Sequence, residues 1–67
     1  MITLSVNGEK QALDGPTGLA DYLRSLEIDL RNIAVAHNGV VLRRDELSMV
    51  TLREGDEVEI VRAVGGG

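Results

Sequence analysis

Two Asn-Gly pairs, Asn7-Gly8 and Asn38-Gly39, constrain this 67-residue chain more than any other feature. A two-residue hairpin loop of type I′ needs positive φ at both positions, and Asn-Gly is the pair that best tolerates it. Each pair has strand-like flanks. Ile2, Leu4 and Val6 alternate with Thr3 and Ser5 before the first, the period-two pattern of a strand with one buried face, so Glu9 to Leu13 should return antiparallel. Ile33 to Asn38 reads as a third strand, with Ile33, Val35 and His37 on one face and Ala34 and Ala36 on the other. Val40-Val41-Leu42 returns from it.

Between the hairpins the pattern changes period. Asp14-Gly15-Pro16 breaks the second strand, and Thr17 is placed to cap a helix by accepting an early backbone N–H. Leu19, Leu23 and Leu26 then fall at i, i+4 and i+7, with Tyr22 beside them, which predicts a short amphipathic helix over residues 18–27. Ile28 and Leu30 should help to close the core. Arg43 to Leu47 reads as a surface turn with Leu47 tucked in, and Leu52 should rejoin the core before a Glu54-Gly55-Asp56 turn. The last strand, Glu57 to Ala63, puts Val58 and Ile60 on one face and Glu59, Val61 and Ala63 on the other. The expected architecture is a small α+β domain over residues 1–63, one helix lying across one face of a mixed sheet of four to five strands.

Size and charge narrow the function. A chain this short buries only about 60% of its unfolded surface, leaving little room for a cofactor pocket. With no Phe, no Trp and one Tyr, the core must be aliphatic. The absence of Cys excludes a disulfide framework, a thiolate metal site and a thiol nucleophile, and permits a cytoplasmic location. Seven basic residues against eleven acidic give a net charge of −4, the wrong sign for a nucleic-acid binder and compatible with a basic protein partner. Nothing is apolar enough to span a membrane, and no leader is expected. Catalytic candidates are equally sparse: His37 has no evident nucleophile or metal partner, Glu57 and Glu59 lie two apart on a solvent face, and Ser48 and Thr51 lack a neighbouring base.

What remains is the end: Val64-Gly65-Gly66-Gly67, read as a flexible tail of residues 64–67. Without Cβ atoms the glycines can thread a passage closed to larger residues. At about 3.3–3.6 Å per residue, the stretch from Val64 could reach at most roughly 13–14 Å, enough to enter another protein's active site. A frayed terminus or a cloning remnant would look the same in composition.

Three stretches carry a resemblance that covers essentially the whole chain: Ile33-Ala34-Val35-Ala36-His37-Asn38-Gly39, Glu54-Gly55-Asp56-Glu57-Val58-Glu59-Ile60-Val61, and Ala63-Val64-Gly65-Gly66-Gly67. In these, and in length and element order, the sequence resembles the ThiS family, the sulfur carriers of thiamin biosynthesis, which are ubiquitin-like β-grasp proteins. Arg43-Arg44 and Leu47 stand where that family commonly has a proline-arginine pair and a tryptophan. The resemblance implies a β-grasp fold with the first and last strands paired at the centre. It also implies that Gly67 is adenylated by a ThiF-like enzyme using ATP and converted to a thiocarboxylate, from which sulfur passes to thiazole synthase.

On that reading the chain is a non-catalytic carrier, a monomer when free, that binds no cofactor or metal itself. Its partners are the ThiF-like enzyme, a sulfur-donor enzyme and thiazole synthase. Val64, Gly65 and Gly66 thread the partner's site. The candidate docking surface is the sheet face opposite the helix: Ala34, Ala36, Glu59, Val61 and Ala63. Two alternatives share the same tail chemistry: a ubiquitin-like protein modifier, and a sulfur carrier for another pathway such as molybdopterin synthesis.

Overall fold

The computed structural model describes residues 1–62; Ala63 and the tail 64–67 lie outside the described residues. β1 (Ile2–Val6) and β2 (Glu9–Leu13) form the first hairpin, and β4 (Ile33–His37) and β5 (Val40–Leu42) the second. Asn7 and Gly8 have φ of 52° and 83°, and Asn38 and Gly39 have 50° and 84°, the positive-φ pairs that the sequence predicts. β7 (Glu57–Arg62) lies between the hairpins in a five-stranded sheet of order β2-β1-β7-β4-β5. It pairs parallel with β1 through Ser5↔Glu57 and Val6↔Val58, and antiparallel with β4 from Ile33↔Arg62 to His37↔Val58. The first and last strands therefore do meet at the centre.

One helix, α1 (Leu19–Ser25), covers one face of this sheet. Leu19, Tyr22 and Leu23 from the helix pack with Ile2, Leu4, Val35 and Val58 from the sheet and with Leu47 and Leu52 from the later connections, an aliphatic core with a single aromatic ring. Ile28 and Leu30 pack against its edge, as expected. Leu47 sits in a 3₁₀ helix, Arg44–Met49, whose first turn is closed by Glu46: its carboxylate accepts the Arg43 N–H at 2.7 Å and its own N–H donates to the Arg43 carbonyl at 2.9 Å.

Two local expectations fail, and one pair of strands escapes the sequence pattern. Thr17 does not cap the helix. Thr17–Gly18 forms a short strand, β3, paired with β6 (Thr51–Leu52), and the Leu19 N–H donates to the Val50 carbonyl at 2.9 Å. A strand pairing thus takes over the cap's work, and the Thr17 hydroxyl donates to the Gly15 carbonyl instead. Leu26 leaves the buried stripe, at 45% exposure, because the helix stops at Ser25 and the chain reverses at Glu27, φ 59°. The Glu27 N–H donates to Arg24 O and the Ile28 N–H to Leu23 O, the paired bonds of a Schellman turn with glutamate where glycine is usual. Last, β3 and β6 form a second, two-stranded sheet that the two-residue lengths concealed in the sequence. No helix among the described residues is long and apolar enough to cross a membrane.

Candidate partner-docking face

The sheet face away from α1 gathers the residues named from the sequence. Residues directly opposite in an antiparallel pair share a face. Ala34 stands opposite Val61, and Ala36 opposite Glu59, so four of the five candidates are near neighbours across β4 and β7; Ala63 lies outside the described residues. Ala36 also stands opposite Val41 on β5, which the sequence reading left out of this face. Val41 is 72% exposed and Val61 62%. The result is an apolar strip, Val41, Ala36, Ala34 and Val61, that borders the final residues of β7. The alternation of Val40-Val41-Leu42 against Ala36 carried this information, since register fixes which valine faces outward.

The other half of the same face is polar. Thr3, Ser5, Lys10, Glu54 and Glu57 line an open depression of about 270 Å³ beside the start of β7. Glu54 closes the connection into that strand: its carboxylate accepts the Thr3 N–H at 2.9 Å, while the Gly55 N–H donates to the Thr3 carbonyl. Glu57 and Glu59 face outward here, as the sequence pattern placed them.

His37 has a partner that the sequence did not disclose. Its Nε2 lies 2.8 Å from Asp56 Oδ2, both side chains being mostly buried. Asp56 also accepts from the Arg53 N–H at 2.9 Å and from Asn38 Nδ2 at 3.2 Å. Burial pushes the Asp56 carboxyl up. The hydrogen bonds from His37, Arg53 and Asn38 outweigh it and hold the group below the usual carboxylate range. No nucleophile joins the pair among the described hydrogen bonds, so the cluster works as a clasp: it ties the turn before β7 to the end of β4.

Both hairpin asparagines attach to β7 as well. Asn38 Oδ1 accepts the Glu57 N–H at 2.8 Å, and Asn7 Oδ1 accepts the Ile60 N–H at 2.7 Å. The turn residues thus have a second role: they fix the strand from which the tail departs. Gly67, the expected site of modification, and Val64, Gly65 and Gly66, the expected threading segment, lie outside the described residues.

Known proteins resemble the chain in both sequence and fold. The model of the ThiS family matches residues 4–67. A sulfur carrier protein ThiS of Thermus thermophilus is 36% identical over 62 residues, covering 92% of this chain and 95% of that protein. The crystal structure of a thiamine biosynthesis protein (ThiS) from Geobacter metallireducens superposes with a TM-score of 0.84 at 32% identity, covering 98% of this chain and all of that one. A thiazole synthase of Paramagnetospirillum magneticum is 31% identical over 64 residues; the chain spans only 20% of its length.

Proposed function

The chain belongs to the ThiS family, and from that premise we propose that it is the sulfur carrier of thiamin biosynthesis, holding sulfur on the terminal acyl group of Gly67. The observation that carries the reading is the whole-chain match, tail included, to a ThiS sulfur carrier of nearly equal length.

The chemistry follows from the terminal group. A free α-carboxylate has a pKa of about 3.3–3.7 and is an anion near neutral pH, which repels nucleophiles. Attack of that carboxylate on ATP, in the active site of a ThiF-like enzyme, forms a mixed anhydride with AMP and releases pyrophosphate. A persulfide from the sulfur-donor enzyme then displaces AMP, forming an acyl disulfide. A thiol cleaves its S–S bond, leaving the thiocarboxylate on Gly67 and a disulfide on the donor side. Thiazole synthase then takes the sulfur. No step calls on a side chain of this domain, whose contribution is to be recognised and to hold the tail's root.

The outward strip of Val41, Ala36, Ala34 and Val61, with Glu59 and Ala63, is the docking surface on this reading. Its position beside the end of β7 lets a partner hold the body and receive the tail together. The region similar to thiazole synthase supports the partner assignment, because in that relative the domain-like stretch and the synthase share one polypeptide.

The test is intact-mass analysis after incubation with ATP, a sulfur donor and the adenylating enzyme. A mass shift of sulfur for oxygen, mapped to the C-terminal peptide and absent from a Gly67 deletion, is the expected result. Lysine-linked adducts in its place would assign the chain to protein modification instead.

A further inference from the structure

β7 is paired along its whole length on one side and only halfway on the other. The β4 register runs from His37↔Val58 to Ile33↔Arg62, whereas the β1 register stops at Val6↔Val58. Beyond that point the first hairpin turns away at Asn7, whose N–H donates to Val58 O at 2.8 Å and whose side-chain oxygen accepts the Ile60 N–H. That side-chain oxygen stands where the next carbonyl of β1 would be, and it ends the ladder.

Strand geometry then says which groups are left. Backbone groups of alternate residues point to the same side of a strand. Val58 O and Ile60 N point toward β1, while Glu57 N and O are both bonded to Asn38, on the β4 side. The Ile60 carbonyl and the Arg62 N–H therefore face the open edge, with no strand of the described residues beside them. An acceptor and a donor two residues apart, with no strand partner among the described residues, are the template for an added strand.

We infer that this open edge of β7, from the Ile60 carbonyl to the Arg62 N–H, takes an extended backbone segment of the adenylating enzyme, which pairs with the strand and aligns the tail that continues from it. The inference rests on the sulfur-carrier reading. Residues 63–67 follow directly from Arg62, so a segment paired here runs alongside the root of the tail. The carboxylate must be held still against ATP, and glycines offer no side chains to grip, so backbone hydrogen bonds are the contacts available. The edge and the apolar strip both border Val61, so one partner can engage both.

Proline scanning tests it on the full chain. Proline is tolerated where the strand N–H faces outward and breaks the ladder where it faces a neighbour. R62P should keep the fold, measured by circular dichroism and thermal melting, yet bind the adenylating enzyme about three- to tenfold more weakly than R62A, which removes the side chain but keeps the N–H. V61P, whose N–H faces β4, should unfold or strongly destabilise the domain. A second measurement needs no variant: in uniformly labelled wild-type protein, the Arg62 amide should exchange rapidly with solvent in the free chain and become protected on binding the enzyme. Equal binding by R62P and R62A, or an Arg62 amide that stays unprotected in the complex, overturns the inference. If the wild-type chain yields the sulfur-for-oxygen mass shift and either result still occurs, only the strand pairing is wrong. If the wild type neither binds nor shows the shift, the sulfur-carrier reading fails and the inference with it.

Discussion

Val40 and Val41 are neighbours on β5 with similar exposure, 61% and 72%, but they face opposite sides of the sheet. That makes them a matched pair for locating the docking face. Truncating valine to alanine removes about two methyl-sized groups, worth about 0.8 kcal/mol each when fully buried. A partner covering the outer face could bury only what is now exposed on Val41, so V41A should weaken binding by about 1.1 kcal/mol, roughly sevenfold in Kd. V40A removes the same groups from the side of His37 and should change binding less than about twofold. Both residues are already exposed, so neither substitution should shift stability by more than about 0.5 kcal/mol. The assay is titration calorimetry against thiazole synthase and the adenylating enzyme, with thermal melts as the folding control. Equal losses for the two variants would show that the edge of β5, rather than one face, is recognised. A loss for V40A alone would move the docking surface to the helix side.

Other outcomes follow from the clasp, the helix end and the core. Asp56 is held below the usual carboxylate range by its hydrogen bonds, so its contribution to stability is fully present above its unfolded value of about 3.9 and is lost as pH falls through the lower folded value. D56N should therefore lose about 1–3 kcal/mol at pH 7 and lose less on further acidification than wild type, read from urea titrations at stepped pH. E27G should stabilise the protein by about 0.5–1 kcal/mol, raising the melting temperature by about 2–8 °C, because glycine removes the left-handed strain at φ 59° while E27A keeps it; equal melting of the two variants would refute this. L23A, at a site with no exposure, should cost about 2–5 kcal/mol. Domains of this length have about 3–10 kcal/mol in all, so a large unfolded fraction by circular dichroism at 37 °C is expected.

What could be read from the sequence was local. The two hairpins follow from Asn-Gly dihedrals and from alternation over three to five residues, and the outward placement of Ala34, Ala36, Glu59 and Val61 follows from the same period. What could not be read depends on residues distant along the chain. His37 and Asp56 are nineteen positions apart, and only the pairing of β4 with β7 brings them together. Thr17 has the side chain of a helix cap, but Thr51 and Leu52, arriving from the far end of the chain, turn it into a strand. The second role of Asn7 was invisible for the same reason: its turn signal is complete within two residues, while its bond to Ile60 spans 53.

The pairing of a glycine tail with the proposed docking face has an energetic reason that these positions make concrete. Ordering the three terminal glycines in a partner's site costs on the order of 1–2 kcal/mol each, about 3–6 together, with no side-chain burial to offset it. Covering the exposed parts of Val41 and Val61 returns about 2–4 kcal/mol, given about 1.5–3 for a fully buried valine. The two quantities are of the same order, so a partner covering this face would offset the ordering of the tail, and the backbone contacts proposed along β7 would add to it. A peptide of the last residues alone should then bind the partner far more weakly than the whole domain. The tail-less domain should retain most of the affinity of the full chain, because deleting the tail removes an entropic cost along with its contacts. If the tail peptide bound as tightly as the intact protein, the folded body would have no role in recognition.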